Sequence, residues 1–319
     1  MRALVTGGAG FIGSHLCDAL TARGHEVFVL DNLSTGRFQN IEHLDNVTSI
    51  IDSTLNKEIV RDLVRDVDVV YHLAATVGVQ LVVDAPIQTI QNNIQGTEIL
   101  LEETCRYRRK LLLTSTSEVY GKSMQAVFRE DDDCIIGPPH RHRWCYAASK
   151  AIDEFLALSY WHEKRHPVVV ARLFNTVGPR QTGRYGMVIP NLTRQALQGE
   201  PLTVFGDGQQ SRCFSYVGDV VPALITLMED DAVNGEVYNI GSDHPVTIEA
   251  LAKLIIERTG SSSDIRFIPY EEAYGYGYED MRHRAPSLEK IHAAIGYAPQ
   301  TSLEEILDSV IAELRKNEF

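Results

Sequence analysis

The sequence has no long apolar run, no paired cysteines and no excess of positive charge, and each absence removes a class of function. No stretch reaches the ~18 consecutive apolar residues that a membrane-spanning helix needs, so no membrane partner is expected. The 5 cysteines (Cys17, Cys105, Cys134, Cys145, Cys213) are odd in number and form no CxxC pair, which argues against a disulfide framework or a zinc site. Met1-Arg2 leads straight into Ala3-Leu4-Val5 and a glycine-rich turn, without the h-region of a signal peptide. With the cysteine usage, that opening points to a cytoplasmic location. A net charge of -13 argues against nucleic acid as partner, which would need a basic face. A phosphorylated small ligand stays open, because a few well-placed arginines suffice for one.

What is present is a regular alternation of strand and helix signals. Apolar runs at Arg2–Thr6, Glu26–Leu30, Val47–Ile51, Val67–Leu73 and Leu111–Thr114 predict strands. Helical patterns at Ile12–Arg23, Leu55–Arg65 and Pro86–Tyr107 lie between them, and Ala148–Arg165 precedes a further strand at Val168–Leu173. Such alternation predicts an α/β fold with a parallel sheet covered by helices on both faces. After about residue 175 the rhythm breaks into shorter elements, with two more helices at Thr247–Thr259 and Ser302–Lys316. We therefore expect a dinucleotide-binding domain over 1–174 and a smaller substrate lobe mainly over 175–319, with some segments crossing between them.

Thr6-Gly7-Gly8-Ala9-Gly10-Phe11-Ile12-Gly13 is entered by a strand and left by a helix. In that context glycines permit a tight turn and let the backbone approach a pyrophosphate at the helix N-terminus. Asp31 ends the second strand, where an acid accepts ribose hydroxyls and, next to Asn32, would repel a 2′-phosphate. Asp52 ends the third strand, at a place suited to an adenine amine. These residues point to NAD.

Tyr146 and Lys150 are spaced YxxxK, which sets them on one helical face. A free tyrosine titrates near pKa ~10 and is a weak base, but a neighbouring ammonium and a cationic nicotinamide favour its phenolate. Lys150 can also reach the nicotinamide ribose, and Thr116 can hydrogen-bond the reacting oxygen.

Taken together, GGAGFIG, Asp31, His72-Leu73-Ala74-Ala75, Asn93, STSEVYG and YxxxK resemble the extended short-chain dehydrogenase/reductase family, nucleotide-sugar branch. Arg172-Leu-Phe-Asn175-Thr-Val-Gly178-Pro179 and Gly206-Asp-Gly-Gln-Gln-Ser-Arg212 extend the match, which covers nearly the whole chain. The resemblance implies a Rossmann-type domain holding NAD, with Leu73, Ala74, Ala75 and Asn93 at the cofactor. It also implies a nucleoside-diphosphate sugar held through Ser117, Asn175, Val188, Arg212 and Arg282.

Thr116-Ser117-Glu118 further resembles the UDP-glucuronate decarboxylases, as do residues 128–150 and 274–287. In that group Arg284 corresponds to a catalytic arginine. The implied reaction oxidises C4 of UDP-glucuronate, loses carbon dioxide from the β-keto acid, and returns the hydride to give UDP-xylose. A carboxylate at Glu118 would repel an anionic sugar unless protonated or turned away. The alternatives are a UDP-hexose 4-epimerase, a 4,6-dehydratase, or a non-catalytic NAD-binding regulator, which the intact Thr116, Tyr146 and Lys150 argue against. Surplus apolar residues on the helices Pro86–Tyr107 and Ala148–Arg165 (Ile90, Ile94, Leu101, Phe155, Leu158, Trp161) suggest a homodimer face. His140, His142, Cys134 and Cys145 match no standard metal site and read as a basic loop.

Overall fold

Short β-branched runs separated by helices of ten or more residues leave parallel pairing as the available solution, because each return crosses the sheet. The computed structural model describes residues 1–78, 82, 84–183, 186–274 and 281–318. Strands Arg2–Thr6 (β1), Glu26–Leu30 (β2), Val47–Ile50 (β3), Val69–His72 (β4), Lys110–Thr116 (β5) and Val168–Leu173 (β6) pair in parallel. A seventh strand, Val237–Ile240, joins the edge beside β6. The order is Val237–Ile240, β6, β5, β4, β1, β2, β3. Strand order reverses between β1 and β4, and ligands of such sheets bind at the carboxyl ends beside that reversal. This is a Rossmann-type α/β fold, as the alternation predicts.

Helices cover both faces. One face packs Leu16 and Leu20 of Phe11–Ala22 against Val220 and Leu224 of Val217–Glu229, over Val5, Tyr71 and Leu112 of the sheet. The other packs Val60, Leu100, Leu101 and Ala157 over Leu4, Val70 and Leu111. The helix Val217–Glu229 and the strand Val237–Ile240 lie beyond residue 174 in sequence yet build this first core. The remaining C-terminal elements have their own core, in which Ile189, Leu192, Leu251, Ile255, Ile306 and Val310 enclose Leu202 and Val204.

The helix after β5 begins at Trp144 rather than Ala148, which places Tyr146 in its first turn and Lys150 one turn further. Leu101 is wholly buried against the sheet and belongs to the core, not to an outward face. Ile87, Ile90, Ile152 and Phe155 are the exposed apolar residues on the helices Pro86–Tyr107 and Trp144–Lys164.

Candidate active site

At the carboxyl ends of the strands lies a cleft of about 770 Å³, within the range of small-molecule sites. Gly7, Gly10, Phe11, Ile12, Gly13, Asp31, Asn32, Asp52, Leu73, Ala74 and Ala75 line one part of it. Thr116, Ser117, Glu118, Tyr146, Asn175, Val188, Arg212 and Arg284 line the rest. Residues far apart in sequence thus converge, because β1, β4, β5 and β6 all end at this edge.

The glycine turn is fixed by close backbone approach. Gly7 has φ +72°, and a Cβ there would stand 2.8 Å from the Ala74 nitrogen. A Cβ on Gly13 would lie 2.1 Å from the Gly7 carbonyl oxygen. The helix Phe11–Ala22 starts at Gly10 without a side-chain cap or an acidic residue in its first turn, so its amide dipoles are open to an anion. Asp31 accepts from the Ala9 amide (3.0 Å) and the Leu33 amide (2.8 Å), which leaves acceptor capacity on both oxygens. Burial raises the Asp31 carboxyl above its ordinary range, against those two amide bonds. A diphosphate at an uncapped helix start and an acid at the end of β2 fit a dinucleotide without a 2′-phosphate.

Glu118 stands in the short 3-10 turn Ser117–Tyr120 that leaves β5. Its Oε1 accepts from Arg284 Nη1 at 2.7 Å, and its Oε2 accepts from Arg143 Nη1 at 2.6 Å. Burial alone would raise the Glu118 carboxyl, but the two guanidinium groups outweigh it and bring its pKa down to about 2. Glu118 is therefore ionised, and its charge is covered by cations instead of facing an anionic ligand bare. Arg284 Nη2 also donates to Asn175 Oδ1 at 2.6 Å. Asn175 has a left-handed φ of 29°, tolerable for its short polar side chain, and its Nδ2 donates to the Cys213 carbonyl at 2.9 Å.

The segment bearing Arg284 is docked by backbone bonds. Phe128 N donates to Ala285 O and Ser287 N to Phe128 O, each at 2.8 Å. Phe128 stacks on Tyr120 at 4.7 Å between ring centroids, within a small core that includes Trp144, Phe174 and Met281.

The Tyr146 phenol is hydrogen-bonded with the Thr116 side chain. Burial raises its pKa, Glu118 adds to the rise, and the Thr116 bond and Arg284 oppose it. Lys150 does not line the cleft: its Nζ donates to Asp153 Oδ2 at 2.8 Å, with both groups buried. Asp153 is also bonded to Thr97, which meets His72 Nε2 at 3.2 Å, and His72 Nδ1 meets Thr6 Oγ1 at 2.7 Å. Burial, and then Lys150, bring the His72 pKa down to about 3, so the ring is neutral.

Two further expectations land elsewhere. Asn93 is buried behind the cleft, where its Oδ1 accepts from Thr76 N (2.8 Å) and its Nδ2 donates to Ser149 Oγ (3.1 Å). It fastens the end of β4 to the Tyr146 helix and does not face the cavity. Arg282 is exposed and paired with Asp207 at 2.9 Å, outside the cleft lining. Conversely, Arg143 was not singled out by sequence, although it directly precedes the Trp144 helix. Its only signal is a position three residues before Tyr146 in a run that reads as a loose basic loop.

Residues 3–241 match the model of the NAD dependent epimerase/dehydratase family. The chain is 42% identical, over 99% of its length and 98% of the relative's, to a UDP-N-acetyl-alpha-D-glucosaminuronate decarboxylase of Bacillus cytotoxicus. It is 38% identical to UDP-glucuronic acid decarboxylase 1 of Xenopus tropicalis, over 99% of this chain and 72% of that one. A UDP-glucuronic acid 4-epimerase of Bacillus cereus, solved with a fluorinated UDP-glucuronic acid and NAD, superposes with a TM-score of 0.88 at 31% identity, over 99% of this chain and 100% of the other. The chain therefore belongs to the NAD-dependent epimerase/dehydratase family, the extended short-chain dehydrogenase/reductase type, with NAD as its cofactor.

Proposed function

We propose that the protein decarboxylates UDP-glucuronate to UDP-xylose through a 4-keto sugar. The observation that carries this reading is the ionised Glu118 held between Arg143 and Arg284 beside Tyr146. A 4-epimerase of neutral hexoses needs a base at C4 and room for the ketone to turn; it has no use for charged groups at C5. A decarboxylase must hold a carboxylate and reprotonate C5.

NAD, when bound, supplies the reversible two-electron oxidation at C4 and a cationic ring beside the phenol. Tyr146 takes the C4 hydroxyl proton and Thr116 orients that oxygen, a general-base contribution of typically ~10²–10⁴-fold. The ketone then lies β to the sugar carboxylate, so the C5–C6 bond can break with its electron pair moving into an enolate. Arg284 holds the departing carboxylate, and Glu118 with its arginine partners governs proton delivery to C5. Ser117, Asn175, Val188 and Arg212 hold the sugar and the diphosphate, for which a forked guanidinium suits better than an ammonium. Lys150, held by Asp153 at 2.8 Å, ties together the turns of the helix that follow Tyr146.

A second substrate is favoured by the 42% relative, whose sugar carries an N-acetyl group at C2. Incubating the NAD-loaded protein separately with UDP-glucuronate, UDP-N-acetylglucosaminuronate, UDP-glucose and UDP-galactose tests both readings. The expected product has lost the mass of carbon dioxide from one of the two uronates. Isobaric products from the hexoses alone would hand the function to a 4-epimerase.

The protein is further read as a homodimer formed through the helices Pro86–Tyr107 and Trp144–Lys164, where Phe155 is 73% and Ile87 71% exposed. A monomeric mass by light scattering at micromolar concentration would contradict this. We place it in the cytoplasm, where its five free thiols would stay reduced. Among the described residues no helix is long and apolar enough to cross a membrane.

A further inference from the structure

The two arginines on Glu118 are not equivalent. Arg284 arrives from the segment docked on Phe128 and shares its guanidinium between Glu118 and Asn175. Arg143 directly precedes the helix that carries Tyr146, has a side chain only 6% exposed, and lies with its guanidinium carbon 4.7 Å from the Trp144 ring centroid. It spans both oxygens of Glu118, at 2.6 Å to Oε2 and 3.5 Å to Oε1. Two guanidinium groups share the one carboxylate, so Glu118 keeps a cationic partner when Arg284 turns to an incoming carboxylate. With Arg284 alone, that incoming carboxylate would meet a neutral pair and compete with Glu118 for the same cation.

We propose that Arg143 is a positioning residue that sets specificity for hexuronates: it retains Glu118 while Arg284 turns donors to the sugar carboxylate. This rests on the decarboxylase reading and deepens it. Arg143 is placed to act through Glu118, and Arg284 to meet the sugar. A neutral hexose brings no carboxylate for Arg284 to turn to, so the ratio of hexuronate to hexose affinity reports the arrangement.

The test measures dissociation constants for UDP-glucuronate and UDP-glucose by calorimetry, on NAD-loaded protein stalled by Tyr146→Phe. Arg143→Met should reduce the preference for UDP-glucuronate by ~10- to 100-fold, the scale of a lost charge-assisted bond. Arg143→Lys, which keeps the charge without the two-point grip, should restore part of it and guards against a folding defect. In a Glu118→Gln background the same Arg143→Met change should cost much less, because the two residues act as one unit. An undiminished preference in Arg143→Met overturns the inference while leaving the decarboxylase reading intact. An equal loss with and without Glu118 also overturns it, since Arg143 would then meet the sugar directly. No preference for UDP-glucuronate with Arg143 in place would remove the decarboxylase reading and this inference together.

Discussion

Arg284 Nη1 lies 2.7 Å from Glu118 Oε1 although 166 positions separate the two residues in the chain. The contact joins the end of β5 to the C-terminal lobe across the cleft that holds Tyr146. It explains how a carboxylate can sit beside the binding place of an anionic sugar: its charge is already taken up.

The trio makes stability depend on acid. The Glu118 carboxyl ordinarily titrates at 4.5 and here at about 2, so it is depressed in the folded protein. A depressed carboxyl contributes stability that is complete above its unfolded pKa and is lost as pH falls through the folded one. The loss should therefore run between about pH 4.5 and pH 2. Urea unfolding at pH 7 and pH 3 should show a smaller acid-induced drop in Glu118→Gln than in the parent. Equal drops would mean that Glu118 is not held ionised by its arginines.

Tyr146→Phe should lower turnover by at least ~10²-fold while leaving thermal unfolding and UDP-sugar affinity close to the parent's. The phenol oxygen is the only atom removed, and the Thr116 hydroxyl can turn to the Glu118 amide nitrogen, which it already accepts from at 3.2 Å. Rates like the parent's would place the base elsewhere.

Much of this site was legible in the sequence, for reasons that can be stated residue by residue. Gly7, Gly13, Asp31, Thr116 and Tyr146 lie where strands end, and strand ends follow from apolar periodicity and turn residues. Arg143 was hidden because nothing in its neighbours' pattern marks a helix cap, and the helix extends four residues before the expected Ala148. The strand Val237–Ile240 and the helix Val217–Glu229 were hidden too: a four-residue apolar run and a helix containing Pro222 give no sign that they return to the first core. Lys150 was legible as part of a motif, but its hold on Asp153 depends on a buried neighbourhood that only packing reveals.

NAD should bind at least ~10-fold tighter than NADP, since a carboxylate and a 2′-phosphate a few ångströms apart repel by a few kcal/mol. Asp31→Asn keeps an acceptor for the Ala9 and Leu33 amides and should narrow that gap. Fluorescence titration with the reduced dinucleotides reads the ratio, and a parent protein that prefers NADP would contradict the reading.

The central claim is that carbon–carbon cleavage at C5 is followed by protonation of that same carbon. Running the reaction of the NAD-loaded protein with UDP-glucuronate in deuterium oxide, and reading the product by proton NMR, tests it most directly. The account predicts a UDP-pentose bearing a single deuterium at C5. A product that keeps its carboxylate and carries no deuterium, differing only in configuration at C4, would contradict it.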